Sequence, residues 1–285
     1  MKIKFTKFAA LAGVCLLMGC DKGVPAPQEW SSKMQPVSTP VVPAITEASG
    51  IADSKRNPGY LWVHEDSGKP AQLYLLSHDG LTAKTMYLQG ATNRDWEDIV
   101  LSGDDLYVAD IGDNAAVHDV YTIYKFPEPA ATTDTVKQYE KIQFRYPDGA
   151  HDAEAFLVDP VSKDIYIFTK RDKPGRIYKL SYPYSSGKVV TAEPAGVLAQ
   201  QGVVSAALSA DGTEIILKTY TNLYHYSRSG VEPIEKTLQQ HYTRLTYLME
   251  PQGEAVTFAT NGKGYFTLSE QVLQEPIKLH FYHKP

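Results

Sequence analysis

Three glutamates and two serines recur in this sequence at a nearly constant interval. The stretches that carry them read EASGI (47–51), DWEDI (95–99), DAEAF (152–156), VSAAL (204–208) and QGEAV (252–256). The recurring oxygen-bearing residues are Ser49, Glu97, Glu154, Ser205 and Glu254, at steps of 48, 57, 51 and 49 residues. Carboxylates brought into one small volume repel one another unless a positive charge stands between them. Calcium suits such a set, because it accepts six to eight oxygen ligands in loose geometry. Magnesium demands a tighter octahedron, and zinc prefers the His or Cys that this set lacks. The alternative is that the glutamates are neutralised by Lys or Arg across the same space.

The elements that position these residues follow from the interval. A period near 50 with strand-like composition is the mark of a β-propeller, one repeat per blade. After each recurring residue comes a short apolar strand, then a second: YLWVHED, LYVADIGD, IYIFTKR, IILKTY and GYFTLSE. A third follows: QLYLLS, VYTIYKF, RIYKLS, NLYHYS and KLHFYH. Alternation, β-branched and aromatic residues, and Gly/Asp/Asn turns such as SGDD and SADG all favour strands. Four repeats offer a fourth strand, at 81–89, 137–146, 188–199 and within 233–248; the last stops after its third. Residues 34–44 are therefore expected to supply the missing outer strand, where their prolines are tolerated. The expected fold is all-β, a five-bladed propeller closed by an N-terminal strand. The widest step leaves no room for a sixth blade. The 19 tyrosines suit the wedges between blades.

The inner strand of each blade runs along the axis, so the recurring residues converge there. The ends of the second strands carry another set, which regular blades bring to one mouth. Asp66, Lys170, Lys218 and Glu270 are its candidate catalytic residues, and Asp110, Asp113 and Arg171 its candidate substrate-binding residues. Lys and Arg neutralise phosphate oxygens, Asp66 or Glu270 can take a proton from water, and a cation polarises a phosphoryl or carboxyl oxygen. The alternative is a salt-bridged rim that only joins blades. DIGDN (110–114) reads either as a loop that binds calcium or as a tight turn closed by its own side chains. Trp96 reads as packing. His64, His118, His151 and His225 show no ligand spacing. No GxSxG, P-loop, HExxH or CxxC pattern occurs.

The N-terminus belongs to another class of signal. Lys2, Lys4 and Lys7 precede a short apolar run that ends at Leu17-Met18-Gly19-Cys20, which resembles a bacterial lipobox. That resemblance implies a signal peptide over 1–19 and a lipid anchor on Cys20. Residues 20–44 then form a Pro-rich tether and 45–285 the propeller. The expected location is the cell envelope, facing the periplasm and held to the membrane by Cys20. Asp21 favours the inner membrane where the enteric sorting rule applies. With Cys15 removed and Cys20 acylated, the propeller has no cysteine for a disulfide. A net charge of −5 argues against nucleic acid as a partner.

The segments SGI (49–51), DWEDI, DIGDN, DAEA, TKR (169–171) and PQGEA (251–255) resemble a family of bacterial propeller proteins of unclear activity. The match spans nearly the whole propeller region. The recurring Ser/Glu set also resembles that of the calcium-activated nucleotidases, the apyrases, which are five-bladed with an axial Ca²⁺ in a serine and glutamate ring. By position that ring falls on Ser49, Glu97, Glu154, Ser205 and Glu254, and Asp66 is similar to an apyrase acid; the long nucleotide-binding insertions of that family are missing. Two functions remain open. One is a Ca²⁺-dependent hydrolase of a small anionic, phosphate-type substrate. The other is a non-catalytic envelope module that uses calcium for rigidity and a propeller face to bind a small anionic molecule or an envelope protein.

Overall fold

A strand covered on both faces is buried along its whole length, whereas an outer strand alternates. The inner strands Ala48–Asp53 and Ala153–Val158 are buried at every position, while the outer strand Glu140–Arg145 is buried only at Ile142 and Phe144. In the computed structural model, which describes residues 35–185, 187–273 and 275–284, the strands form five sheets, the blades of a five-bladed β-propeller. The inner strands of blades 1 to 5 are Ala48–Asp53, Trp96–Ser102, Ala153–Val158, Val203–Leu208 and Ala255–Phe258. The second strands are Tyr60–Glu65, Asp105–Asp110, Ile165–Thr169, Glu214–Thr219 and Gly264–Leu268. Each pairs antiparallel with the inner strand of its blade.

Closure occurs as the incomplete last repeat requires. Val37–Pro40 runs antiparallel to Lys278–His283, with Val37 opposite Phe281 and Pro40 opposite Lys278. Beyond this strand, Val41 and Ile45 are buried in the apolar cluster that joins blades 5 and 1. Burying a valine contributes about 1.5–3 kcal/mol. A chain that starts at residue 45 should therefore melt roughly 5 °C or more below the full chain in a thermal scan, given 2–4 °C per kcal/mol at this size.

Five apolar clusters hold the ring, one at each blade interface. Tyrosines fill several of them: Tyr121, Tyr146 and Tyr178 between blades 2 and 3, and Tyr265 and Tyr282 between blades 4 and 5.

The outer strands depart from the expected pattern in two places. Thr135–Val136 and Val190–Thr191 leave their own blades and pair in parallel with Thr82–Leu88 and Glu140–Arg145 of the preceding blade. These laces split the expected strand over 188–199, of which Glu193–Leu198 stays in blade 3. In blade 4 the expected strand within 233–248 shrinks to Thr243–Arg244, because Pro233 opens a helical turn, Ile234–Thr237, instead. Proline suits such a start, since it has no N–H to leave unpaired. Ile234 and Leu238 then bury in the cluster between blades 3 and 4. Among the described residues no helix is long and apolar enough to cross a membrane. Cys20 and the lipobox lie outside the described residues.

Candidate metal centre

The recurring residues reach the axis through a backbone irregularity. In blades 1, 2 and 3 the pairing of the inner strand with the second skips one residue: Ser49, Glu97 and Glu154. A bulge of this kind re-aims a side chain. Glu254 stands just before the inner strand of blade 5. Blade 4 differs, because its skipped residue is Val204, while Ser205 pairs opposite Lys218. Ser205 thus occupies the next position along, the one that Gly50 and Asp98 hold in blades 1 and 2. Its hydroxyl lies 3.3 Å from each Asp98 carboxylate oxygen and accepts from the Val256 N–H at 3.3 Å. Asp98 is fully buried and also accepts from the Ile99 and Ala206 N–H groups, so it braces blade 2 against blade 4 across the channel. Ser49 donates to the Glu97 carbonyl at 2.9 Å.

Two acidic triads share Glu97. Glu97, Asp152 and Glu154 are all buried, and each offers an oxygen within 4.8 Å of the others. Asp66 and Asp95, half-buried, converge on Glu97 within the same distance. Glu254 stands close by through Lys170, whose Nζ pairs with Glu154 and lies 3.9 Å from Glu254. The Tyr220 hydroxyl bridges this group, accepting from Lys170 at 3.1 Å and donating to Glu254. Gly112 lies against the set. A Cβ at that position would collide with Glu97 Oε1 and Asp95 Oδ2, so only glycine leaves the carboxylates their place.

The charges do not balance. Lys170 serves Glu154 and Glu254, and Arg171 serves Asp152 at 2.6 Å. Among the described residues no lysine or arginine forms an ion pair with Asp66, Asp95 or Glu97. Glu154 Oε2 is buried and makes no hydrogen bond. Burial and then Glu154 hold the Glu97 carboxyl well above the usual range, and burial and then Asp66 push Asp95 up to about 6. Burial raises Glu154 against the pull of Lys170. Glu270, half-buried nearby, is pushed up to about 7 by burial and by Glu254. Carboxyls held this close resist ionising together, and the cluster is one that could hold a cation.

The rim residues separate into groups. Asp66 and Glu270 stand beside the ring; burial raises Asp66 too. Asp110 accepts the Asp95 N–H at 2.9 Å and so fixes that acid's backbone. Asp113 closes a local turn, accepting from the Val117 and His118 N–H groups and the Tyr121 hydroxyl. DIGDN is therefore a turn whose glycine makes room for the Glu97 and Asp95 carboxylates. Lys218 lies apart from the mouth, fully buried between Glu250 and Tyr247. Asp95 and Asp152 escaped the single-column reading, although each precedes its ring glutamate by two residues. That spacing repeats in DWEDI and DAEAF and was the available signal.

The sequence matches no protein-family model and no curated protein. Solved structures match in shape. An auxiliary nutrient binding protein from Bacteroides thetaiotaomicron is 7% identical, with a TM-score of 0.50 over 90% of this chain and 75% of that one. A nidogen/laminin complex gives 13% identity and a TM-score of 0.48 over 79% and 72% of the two chains. Hydrazine synthase from Kuenenia stuttgartiensis gives 9% identity and 0.45 over 83% and 71%. Identities this low speak to architecture alone. What strand pairing and the structural likeness to the Bacteroides protein both support is the fold: the chain is a five-bladed β-propeller.

Proposed function

We propose that the chain is a calcium-binding propeller that works as a binding module. Glu97, Asp152 and Glu154 hold the cation at the channel mouth, with Asp66, Asp95 and Glu254 beside them. The observation that carries this reading is the buried triad around Glu97 with Glu154 Oε2 unpartnered. All the donors are oxygen, as calcium prefers, and Glu97, buried and with no ion pair among the described residues, would otherwise cost several kcal/mol as a carboxylate. The module reading is favoured over catalysis by the state of the bases. Lys170 is engaged by two glutamates and Tyr220, Arg171 by Asp152 and Asn114, and Lys218 is buried. Lys170 and Lys218 thus offer no free ammonium, and Arg171, 55% exposed, keeps two of its nitrogens on Asp152 and Asn114.

Hydrolysis is a second reading, supported by Asp66 and Glu270 standing half-exposed beside the ring. The test is turnover of phosphoesters and carboxylic esters with calcium and with EGTA. The module reading expects no calcium-dependent turnover. Turnover that requires calcium and falls at least about 100-fold in Glu270→Gln, the size of a general-base contribution, would replace it with the hydrolase.

The lipobox adds a location to the proposal: anchoring of the propeller to the envelope membrane through Cys20. Cys20→Ser should abolish acylation and move the protein from the membrane to the soluble fraction. Unchanged fractionation would mean another anchor.

A further inference from the structure

The channel has a second mouth. Each inner strand runs from the acidic end toward the opposite face, where the five strand ends surround a cavity of about 290 Å³. All five blades contribute apolar wall to it: Ile51, Ile99, Val158, Leu208, Val256 and Phe258. Its inner end is at Ala206, whose N–H donates to Asp98, the acid that braces blade 2 against blade 4. None of Glu97, Asp152 and Glu154 lines it. Solvent reaches the walls, since Val100 and Phe258 remain 8% exposed and Leu101 and Leu208 are only half-buried.

The hydroxyls around this cavity are all engaged in the same sense. Ser102 Oγ donates to the Val158 carbonyl and Thr257 Oγ1 to the Phe258 carbonyl, each at 3.3 Å, and Thr260 Oγ1 donates to Asp53 at 2.9 Å. A hydroxyl has one hydrogen and two lone pairs. With those bonds made, the three hydroxyls have only lone pairs to offer a guest. The two charged residues of the lining are occupied as well. Asp53 is buried and meets the Thr260 N–H at 2.7 Å, the Thr260 hydroxyl, and His78 Nε2 at 2.7 Å. Lys55 stands at the rim, 61% exposed, and gives its ammonium to Asp104 at 2.6 Å. We infer that this cavity binds a neutral molecule of one or two fused rings that carries a single N–H or O–H donor, with the ring among the apolar walls and the donor on a rim hydroxyl.

Size and chemistry select the same class. An apolar cavity of about 150 Å³ takes up benzene, and this one, at about 290 Å³, has room for a second ring. A carboxylate or phosphate would leave water for apolar walls and hydroxyls whose hydrogens are already given away. An ammonium would leave water for the same walls, with Asp53 already satisfied inside the protein. A flexible chain would lose rotamer freedom that a rigid ring does not have. The inference goes beyond the calcium proposal and does not depend on it, because the cavity and the acids stand at opposite ends of the channel.

The test uses the full chain with ¹³C-labelled isoleucine methyl groups, in saturating calcium and again in EGTA, so the result stands whether or not a cation occupies the ring. Indole is the probe, titrated to millimolar concentration. N-methylindole lacks the donor, and indole-3-carboxylate adds a negative charge. Indole should shift the methyls of Ile51 and Ile99 saturably and leave that of Ile142, in the outer strand of blade 2, unmoved. N-methylindole should bind about 3–10-fold more weakly, the worth of one neutral hydrogen bond. Indole-3-carboxylate should bind at least about tenfold more weakly, because its charge meets apolar wall. Leu208→Asp, at a half-buried position of that wall, should weaken indole binding at least about tenfold for the same reason. Ile51 and Ile99 methyls that do not move, N-methylindole as tight as indole, or tighter binding of the carboxylate would each overturn the inference. These three arms use the wild type, so they decide the matter even if Leu208→Asp fails to fold.

Discussion

Calcium at 100 times its dissociation constant should raise the melting temperature of the cation-free protein by roughly 5–11 °C. That figure joins about 2.7 kcal/mol of linkage stabilisation to 2–4 °C per kcal/mol for a domain of this size. EGTA should reverse it. Glu154→Gln keeps the shape of the side chain whose Oε2 is unpartnered but removes its charge, so the calcium effect should shrink. The shift should also depend on pH, with a definite sign. Asp95 and Glu270 are raised from 3.8 and 4.5 to about 6 and about 7, the first by burial and Asp66, the second by burial and Glu254. A group whose folded value is raised favours the folded state below its unfolded value, and that stability is lost as pH rises through the folded value. Without calcium, the melting temperature should therefore fall from about pH 4.5 to pH 8 as far as these groups govern it. Calcium replaces the protons, so its stabilising shift should grow over the same range. A shift that is largest at pH 5 would contradict the assignment.

Gly112→Ala should have the second largest effect. Its Cβ has no free space, because Glu97 Oε1 and Asp95 Oδ2 already lie where it would go. Overpacking of this kind costs about 1–3 kcal/mol. The atoms forced aside are carboxylate oxygens of the proposed calcium site, so calcium affinity should fall about 10–100-fold, the range that displaced supporting residues cost. Gly103→Ala is the control, since nothing lies within 4 Å of its Cβ position, although its φ of +66 carries backbone strain of its own. It should lose stability without losing calcium affinity. Equal calcium affinity in Gly112→Ala and wild type, measured by titration calorimetry, would mean that Glu97 and Asp95 do not ligate together.

The architecture was legible because a propeller repeats it five times. Period, alternation and turn residues said the same thing in each repeat, and the missing strand of the last repeat announced the closing strand at Val37–Pro40. The outer strands were less legible. Thr135–Val136 and Val190–Thr191 have strand composition, but composition does not say which blade a strand joins.

At the site, the sequence located Glu97 and Glu154 and brought in Asp66. It set Ser205 one position out of line, because a bulge adds a residue that letters alone do not reveal. Lys218 looked like a rim residue, since strand ends do not show which side chains turn inward between blades. Asp152 and Asp95 were hidden by attention to a single column. Gly112 illustrates the remainder: its reason lies in two side chains more than ten residues away in sequence, at Asp95 and Glu97.

Calorimetric titration of calcium into the chelator-treated full chain at pH 7.5 tests the central claim most directly. A saturable heat of binding is expected in the wild type, strongly weakened in Glu154→Gln and absent in Glu97→Gln, the residue shared by both triads. The same titration with magnesium should give a weaker response, since octahedral geometry is harder to satisfy with carboxylates fixed on separate blades. If calcium gives no heat at any concentration up to the millimolar range, and the melting temperature is the same in calcium and EGTA, the acids are an ion-paired channel lining organised by Lys170, and the axial cation does not exist.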